Sequence, residues 1–421
     1  RLIFYPAKRK DMFLWGDENK KFNNRSQSYF VLNGPGILSS RDAWVYDYSY
    51  KKLDDNISKM LDFYNQQVDL FVTLNSNDKN DITKIIDNNP SKISWTRSLK
   101  KDLYNKKKHN KNVDSYRLAN YRPFCKQNLY YDKSLIESPG LNIQYFPEKL
   151  SHNRIISIPG VGGSKEFTTL MTDSVTDYQV MFNNQCFPLF YYEVKQQVQG
   201  SLFDATSESK YIRRDGVSDF IWERAKKQYG KSVTKEDIFY YVYGILHSPD
   251  YRETFANDLK KMLPRIPLVD NPKDFWAFSK AGRKLAELHI NYESVEPYNG
   301  AEVVMPQDHL QMDAYEFYKV TKLRFPKKDQ KETIIYNSRI KINNIPEKAY
   351  EYVVNGKSAI DWIMDRYQVS VDKKSGIKND ANDWSREVEN PSYILDLILS
   401  IINVSVQTVD IVESLPKLEF D

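Results

Sequence analysis

Two cysteines in 421 residues, Cys125 and Cys186, are too few for a disulfide framework and suit a reducing compartment. The five histidines, at 109, 152, 247, 289 and 309, are scattered and none stands at metal-ligand spacing with a cysteine, so no zinc site is expected. Glycine is also sparse, at 15. The richest cluster, Gly160-Val161-Gly162-Gly163-Ser164-Lys165, lacks the Gly-Lys-Ser/Thr order of a nucleotide-binding loop. No Gly-x-Ser-x-Gly elbow occurs, which removes that serine-hydrolase signature. Glu193-Val194-Lys195 with Asp173 or Asp177 upstream is a chance-level match to a metal-dependent nuclease site and is set aside. No 18-residue apolar span is evident. The greasiest stretch, Tyr393 to Val406, is interrupted by Asp396, Ser400 and Asn403, and predicts a buried helix with no membrane partner. Neither sign of charge dominates: 61 basic against 56 acidic side chains leave a net +5. A polyanionic partner would therefore meet a local basic surface rather than a global field. The chain opens at Arg1 without a signal-peptide pattern, so we expect a cytoplasmic piece of something larger.

What is present is tyrosine, 30 of them, and enough chain for two or three cores. The pattern predicts an α/β (α+β) multi-part chain: a mixed-sheet front, a helical middle, a small sheet and a helical C-terminal tail. Leu2 to Tyr5, Ser28 to Asn33, Arg154 to Pro159, Phe167 to Thr172 and Phe187 to Glu193 have strand character. Leu53, Ile57, Met60, Leu61 and Tyr64 mark an amphipathic helix, and Ile82 to Ile86 another after a polar loop from Asn75. Gln196 to Asp215 is polar and aperiodic, the expected linker. Val217 to His289 predicts helix almost throughout. Tyr318 to Phe325, Thr333 to Tyr336 and Ile340 to Asn344 predict strands, and Ser358 to Tyr367 and Pro391 to Ser414 helices. Trp44, Trp95 and Trp222 are expected in cores.

The densest single signal is Asp237-Ile238-Phe239-Tyr240-Tyr241-Val242-Tyr243-Gly244-Ile245-Leu246-His247-Ser248-Pro249-Asp250-Tyr251-Arg252. Thr234 and Asp237 form a capping pair, and the apolar positions Ile238, Tyr241, Val242, Ile245 and Leu246 follow at helical spacing. Ser248 and Pro249 suit the cap and first position of a second helix, expected to run to Met262 before Pro264 stops it. Asn271 and Pro272 repeat the cap-and-proline start for a third. His247 falls at the corner, where a packed histidine bonded to backbone is the expectation.

This run resembles the "DIFxYxYxxLHSPxYR" segment in the C-terminal specificity region of type ISP restriction–modification enzymes. Arg41-Asp42-Ala43-Trp44-Val45-Tyr46 is similar to that family's "NRDAWVYNFS", and Met60 to Asn65 to its companion segment. Tyr121-Arg122-Pro123-Phe124 with Leu129-Tyr130-Tyr131-Asp132 resembles "YRPFDKRWLYYD", Cys125 replacing the acid. The resemblance implies a non-catalytic target recognition domain that reads double-stranded DNA beside an upstream adenine-N6 methyltransferase domain. It implies S-adenosylmethionine, ATP and Mg2+ for the parent enzyme and no cofactor in this chain. Neither an Asn-Pro-Pro-Tyr loop nor an ATPase loop is present to say otherwise. On this basis residues 1–40 are the expected junction with the methyltransferase, 41–200 the DNA-recognition region, 201–295 the helical region and 296–421 the sheet-plus-helix end. The alternative is that the helical stretch relays between methyltransferase and motor with little base reading of its own.

Candidate DNA contacts come from the run Arg97 to Lys126. Arg97, Lys100, Lys101, Lys106, Lys107 and Lys108 suit phosphate, which carries affinity and salt dependence but no sequence information. Arg117, Asn120 and Arg122 have the planar groups that read bases. Gly162, Gly163, Ser164 and Lys165 form a second candidate, where backbone can approach a phosphate closely. Arg213-Arg214 and the loop of Lys327, Lys328 and Lys331 are weaker ones.

Overall fold

The computed structural model describes residues 12–13, 28–74, 82–195, 210–307 and 311–420. The expected strand at Leu2 to Tyr5 lies outside them. The front region contains Gly34–Pro35 (β1), Tyr46–Asp47 (β2), helix Tyr50–Thr73 (α1), helix Arg97–Tyr104 (α2), Tyr116–Arg122 (β3) and Cys125–Tyr130 (β4). Ile155–Ile158 (β5), Leu170–Thr172 (β6), Val175–Thr176 (β7), Gln185–Pro188 (β8) and Phe190–Val194 (β9) follow. They make two four-stranded sheets, one ordered β1-β8-β5-β6 and the other β2-β4-β3-β7, the second with a parallel β3–β7 pair. The Ser49 side chain caps α1 by accepting from the Lys52 amide. Leu53, Ile57, Met60, Leu61, Tyr64, Val68 and Phe71 then form its buried stripe. Each such side chain is worth roughly 1.5–3 kcal/mol on burial.

Ser28 to Asn33, expected as a strand, makes only isolated bridges, because pairing in the sheet begins at Gly34. Two strands occupy the expected single strand Phe187 to Glu193, broken at Leu189, whose amide reaches the Arg154 carbonyl and whose carbonyl takes the Gly216 amide. The end of the expected linker is also a strand. Tyr211–Asp215 (β10) pairs antiparallel with β9 over five residues. It lacks burial periodicity because the ribbon stands largely in solvent. Cross-strand contacts replace a core face: Arg213 lies over the Phe190 ring and Arg214 meets Glu193 at 3.1 Å.

The helical middle holds Asp219–Tyr229 (α3), Lys235–Ile245 (α4), Pro249–Thr254 (α5) and Pro272–Ile290 (α6). Thr234 and Asp237 make the reciprocal capping box, and Ser248 and Asn271 cap α5 and α6 with proline next in line. The α5 helix stops at Thr254, short of the expected Met262. Beyond it irregular turns carry on and still bury Phe255 and Leu259. These helices share one core with Ile156, Ile158, Met171 and Phe187 of the first sheet.

In the last part Glu302–Val304 (β11), Ile334–Ile335 (β12) and Lys341–Asn343 (β13) form a sheet ordered β11-β13-β12, followed by Ala359–Arg366 (α7) and Tyr393–Glu413 (α8). Tyr318 to Phe325 is not the expected strand. Tyr318 closes a one-turn helix, and only Arg324 bridges to Ile335. Contrary to the sequence reading, α8 is long and apolar enough to cross a membrane, with mean hydropathy 1.7 over 18 residues, but 61% of that window is buried against the rest of the chain. The parts interlock. Tyr48, Phe124, Cys125 and Met181 share a core with Ile360 and Ile398. The Asn379 side chain joins the Tyr48 amide to Gln127, each at 3.1 Å, and Glu387 accepts from Ser49 Oγ at 2.6 Å.

Candidate nucleic-acid interface

Helix α2 buries Leu99 and Leu103 against α1 and turns Arg97, Lys100 and Lys101 the other way, at positions i, i+3 and i+4. The helix ends in a paired-carbonyl cap: the Lys106 amide reaches the Leu103 carbonyl at 2.8 Å and the Lys107 amide reaches Asp102 at 2.9 Å. Lys106 supplies the left-handed residue this cap requires, at φ 57°. Beyond it, Lys107 pairs with Asp102 at 3.7 Å, Lys108 with Asp69 at 2.7 Å and Lys111 with Asp54 at 2.7 Å. Five cations in the run, Arg97, Lys100, Lys101, Lys106 and Arg117, have no carboxylate within 4.0 Å among the described residues, and of these Arg117 is turned to backbone carbonyls. That makes α2 and its cap the part of the run able to hold phosphate without first breaking an ion pair.

The three planar side chains nearby are engaged in the fold. Asn120 is 3% exposed and donates to Ser174 Oγ at 2.6 Å. Arg122 donates to Asp177 at 2.8 Å and stacks on the Tyr121 ring at 3.9 Å. Burial outweighs the Arg122 charge and pushes the Asp177 carboxyl up to about 7. Arg117 turns back to the carbonyls of Asp114 and Tyr116, and burial lowers its pKa. All three lie on β3, which pairs with β4 and β7. In this arrangement the Asn120 amide and the Arg122 guanidinium are occupied, whereas Arg117 is engaged through Nη1 and its Nε has no partner.

The glycine cluster lies elsewhere in the molecule, with different neighbours from the basic run. Gly162, at φ 87°, is exposed with open space where a Cβ would stand, and its amide bonds the Lys260 carbonyl at 2.9 Å. Gly163 packs beside Phe182, and Ser164 is exposed. Lys165 crosses to the C-terminal part, where its ammonium donates to the Asn355 carbonyl at 3.0 Å. The loop thus ties two parts of the chain together.

A basic hollow in the C-terminal part escaped the sequence reading. It has a volume near 440 Å3 and presents Lys319, Lys322, Arg324 and Arg339. Glu316 meets Lys319 at 3.6 Å, whereas Lys322, Arg324 and Arg339 have no carboxylate within 4.0 Å among the described residues. Its framework is the Asn337 side chain, which donates to the Phe317 and Lys319 carbonyls and accepts from the Arg339 and Ile340 amides. The signal was the Lys-x-x-Lys-x-Arg spacing at 319–324, which Tyr318 and Phe325 made resemble a strand.

A family model described as the Type ISP C-terminal specificity domain matches residues 28–397. The chain belongs to that family. No curated protein matches it. Among solved structures it is similar to a nuclease-deletion mutant of the Type ISP restriction-modification enzyme LlaGI in complex with a DNA substrate mimic. The identity is 38% and the TM-score 0.82, over 98% of this chain and 34% of that one. It is also similar to the ATP-dependent Type ISP restriction-modification enzyme LlaBIII bound to DNA, at 33% identity and TM-score 0.81, over 98% of this chain and 24% of that one. A DrdV–DNA complex, at 24% identity and TM-score 0.79, covers 98% of this chain and 38% of that one and shares the fold. The chain therefore spans only about a quarter to two-fifths of these structures' lengths.

Within this specificity domain the run Asp237 to Arg252 is structural. Residues Ile238 to Ile245 are all buried, and His247 at the corner bonds the Tyr243 carbonyl through Nδ1 at 2.7 Å, as expected. Arg252 returns its Nε to the Leu246 carbonyl at 2.6 Å and so ties α5 to the end of α4. The apolar surface of the helical region is taken up inside the chain. Only Ile212, Phe220 and Trp276 are large apolar side chains at least 36% exposed there, among the described residues.

Proposed function

We propose that this specificity domain recognises double-stranded DNA for a longer Type ISP enzyme, positioning it for adenine-N6 methylation and ATP-dependent cleavage by other parts of that polypeptide. S-adenosylmethionine, ATP and Mg2+ serve those parts, in the cytoplasm, and the upstream methyltransferase domain is the neighbour on which the DNA is presented. The observation that carries the reading is the likeness over 98% of the chain to LlaGI, solved in complex with a DNA substrate mimic. Two surfaces fit the role of phosphate grip: the stripe Arg97, Lys100, Lys101 and Lys106, and the hollow of Lys322, Arg324 and Arg339. Both offer cations free of local carboxylates, so counter-ion release on binding DNA is not opposed by the breaking of ion pairs.

Equilibrium binding to duplex DNA across a range of salt concentrations tests this. Removing one lysine that grips a phosphate flattens the log–log salt slope by ~0.9. Alanine at Lys100, Lys101 and Lys106 together is expected to flatten it by roughly two to three units and to weaken all sequences alike. An unchanged slope would remove α2 from the interface, and no duplex binding by the wild-type chain at low salt would overturn the reading.

A further inference from the structure

The β9–β10 ribbon is anchored at one end and bare along the rest. Glu193, Val194, Ile212, Arg213, Arg214 and Asp215 are all exposed. At the base, the Asn153 side chain accepts from the Phe190 amide at 3.0 Å and donates to the Phe190 carbonyl at 2.6 Å. Tyr192 Oη donates to the His152 carbonyl at 2.8 Å. Phe190 packs on the core beneath the helices, and Tyr191 on the core of the front region. A two-stranded ribbon alone is marginal in water, so these ties are what hold the strands out. The fold positions this element firmly and leaves most of it uncovered.

Its two faces differ. The pairs Phe190–Asp215, Tyr192–Arg213 and Val194–Tyr211 face one way, and Tyr191–Arg214 and Glu193–Ile212 the other. On the second face Arg214 is tied to Glu193 at 3.1 Å. On the first, the Arg213 guanidinium stands 4.2 Å from the centre of the Phe190 ring, within stacking contact. It makes no hydrogen bond or ion pair among the described residues, so its N–H groups are open. The neighbouring acids do not hold it. Asp215 meets Lys235 at 3.2 Å, and Glu148, whose charge acts on Tyr192, lies beyond 4.0 Å of Arg213. Val194, 71% exposed, adds an apolar contact to the same face.

Each feature has a complement in duplex DNA. A major groove about 12 Å wide and 8.5 Å deep admits a two-stranded ribbon, whose strands lie about 4.8 Å apart. Arg213 stands two residues, about 7 Å, beyond the Phe190–Asp215 pair, which matches that depth. A stacked guanidinium presents a fixed fork of donors that fits guanine O6 and N7, and an exposed valine suits a thymine methyl. We propose that the β9–β10 ribbon enters the major groove and that Arg213 reads a guanine there. The inference rests on the DNA-recognition reading and assigns base reading to a part of the chain outside α2 and the basic hollow.

Duplex selection with the full chain, followed by affinities for the selected site, tests the proposal. Arg213→Lys keeps the charge and loses the fork. It is expected to lower affinity for the selected site by about 5- to 150-fold and to relax one G·C position, while binding to unselected duplex stays within about twofold. Placing 7-deazaguanine, which lacks N7, at each guanine of the site in turn gives a measurement on the wild-type protein. At one guanine it is expected to weaken the wild type by at least about fivefold and Arg213→Lys by less than about twofold. Arg214→Lys, on the opposite face, is expected to leave the motif unchanged. An unaltered motif with Arg213→Lys, equal weakening on all sequences, the same loss with Arg214→Lys, or independent effects of base and side chain would overturn the proposal and leave DNA recognition standing. Absence of any motif with the wild type would overturn the DNA reading and this proposal with it.

Discussion

Gly282 of α6 lies against the backbone of Tyr240 on α4 so closely that a Cβ at 282 would stand 1.8 Å from the Tyr240 carbonyl oxygen. The contact is mutual, since a Cβ at Gly244 would stand 2.3 Å from the Phe278 carbonyl. The two helices meet backbone to backbone, with no flexible side chain to yield. Gly282→Ala is therefore expected to cost about 3 kcal/mol or more, at the upper end of overpacking effects. Chemical denaturation followed by circular dichroism measures it, and a loss under about 1 kcal/mol would show that the helices slide apart cheaply.

Lys106 combines a strained backbone with an unpaired charge, which lets fold and function be separated. Lys106→Gly relieves a left-handed conformation and is expected to stabilise the chain by ~1 kcal/mol. The same change is expected to flatten the salt slope of DNA binding by ~1. Thermal melting and salt titration of one variant read both effects. Stability gained without any loss of DNA binding would leave Lys106 a capping residue only.

Arg122 and the hollow arginines are expected to fail in opposite ways. Arg122→Ala strands the buried Asp177 carboxylate and is expected to cost about 3–5 kcal/mol of stability. Arg324→Ala with Arg339→Ala breaks no ion pair, so stability is expected to stay within ~0.5 kcal/mol while duplex affinity falls. Melting curves and binding isotherms on both proteins decide the matter.

Two buried groups set opposite pH limits. Burial pushes the Asp47 carboxyl up to about 7, with one oxygen left unpartnered, from an unfolded value near 3.8. The folded chain binds the extra proton, so the favourable contribution of Asp47 is full below pH 3.8 and is lost as pH rises through 7. Burial holds His289 down at about 3 against 6.5 unfolded, so its contribution is full above pH 6.5 and is lost as pH falls toward 3. Asp47→Asn is expected to raise the melting temperature at pH 8 and to raise it clearly less at pH 5, where only part of the Asp47 contribution has been lost. An equal shift at both values would contradict a titrating Asp47.

The helical middle was legible because its signals are local. A capping box, two cap-and-proline starts and an apolar stripe are all written within a few residues of where they act. Strand β10 was not legible, since the β9–β10 ribbon is stabilised by cross-strand pairs such as Arg214 with Glu193 rather than by a buried face. The base-reading candidates show the same limit from the other side. Asn120 and Arg122 have the right planar chemistry, but only the pairing of β3 with β7 reveals that Ser174 and Asp177 occupy them. The hollow of Lys322, Arg324 and Arg339 needed residues 15 positions apart brought together by the Arg324–Ile335 bridge, which no sequence period announces.

The most direct test of the central claim is selection of bound duplexes from a randomised pool by the purified chain at two salt concentrations. We expect one enriched motif, retained at the higher salt while total binding falls. Salt-sensitive binding with no enriched motif would contradict it, leaving a chain that grips DNA without reading it.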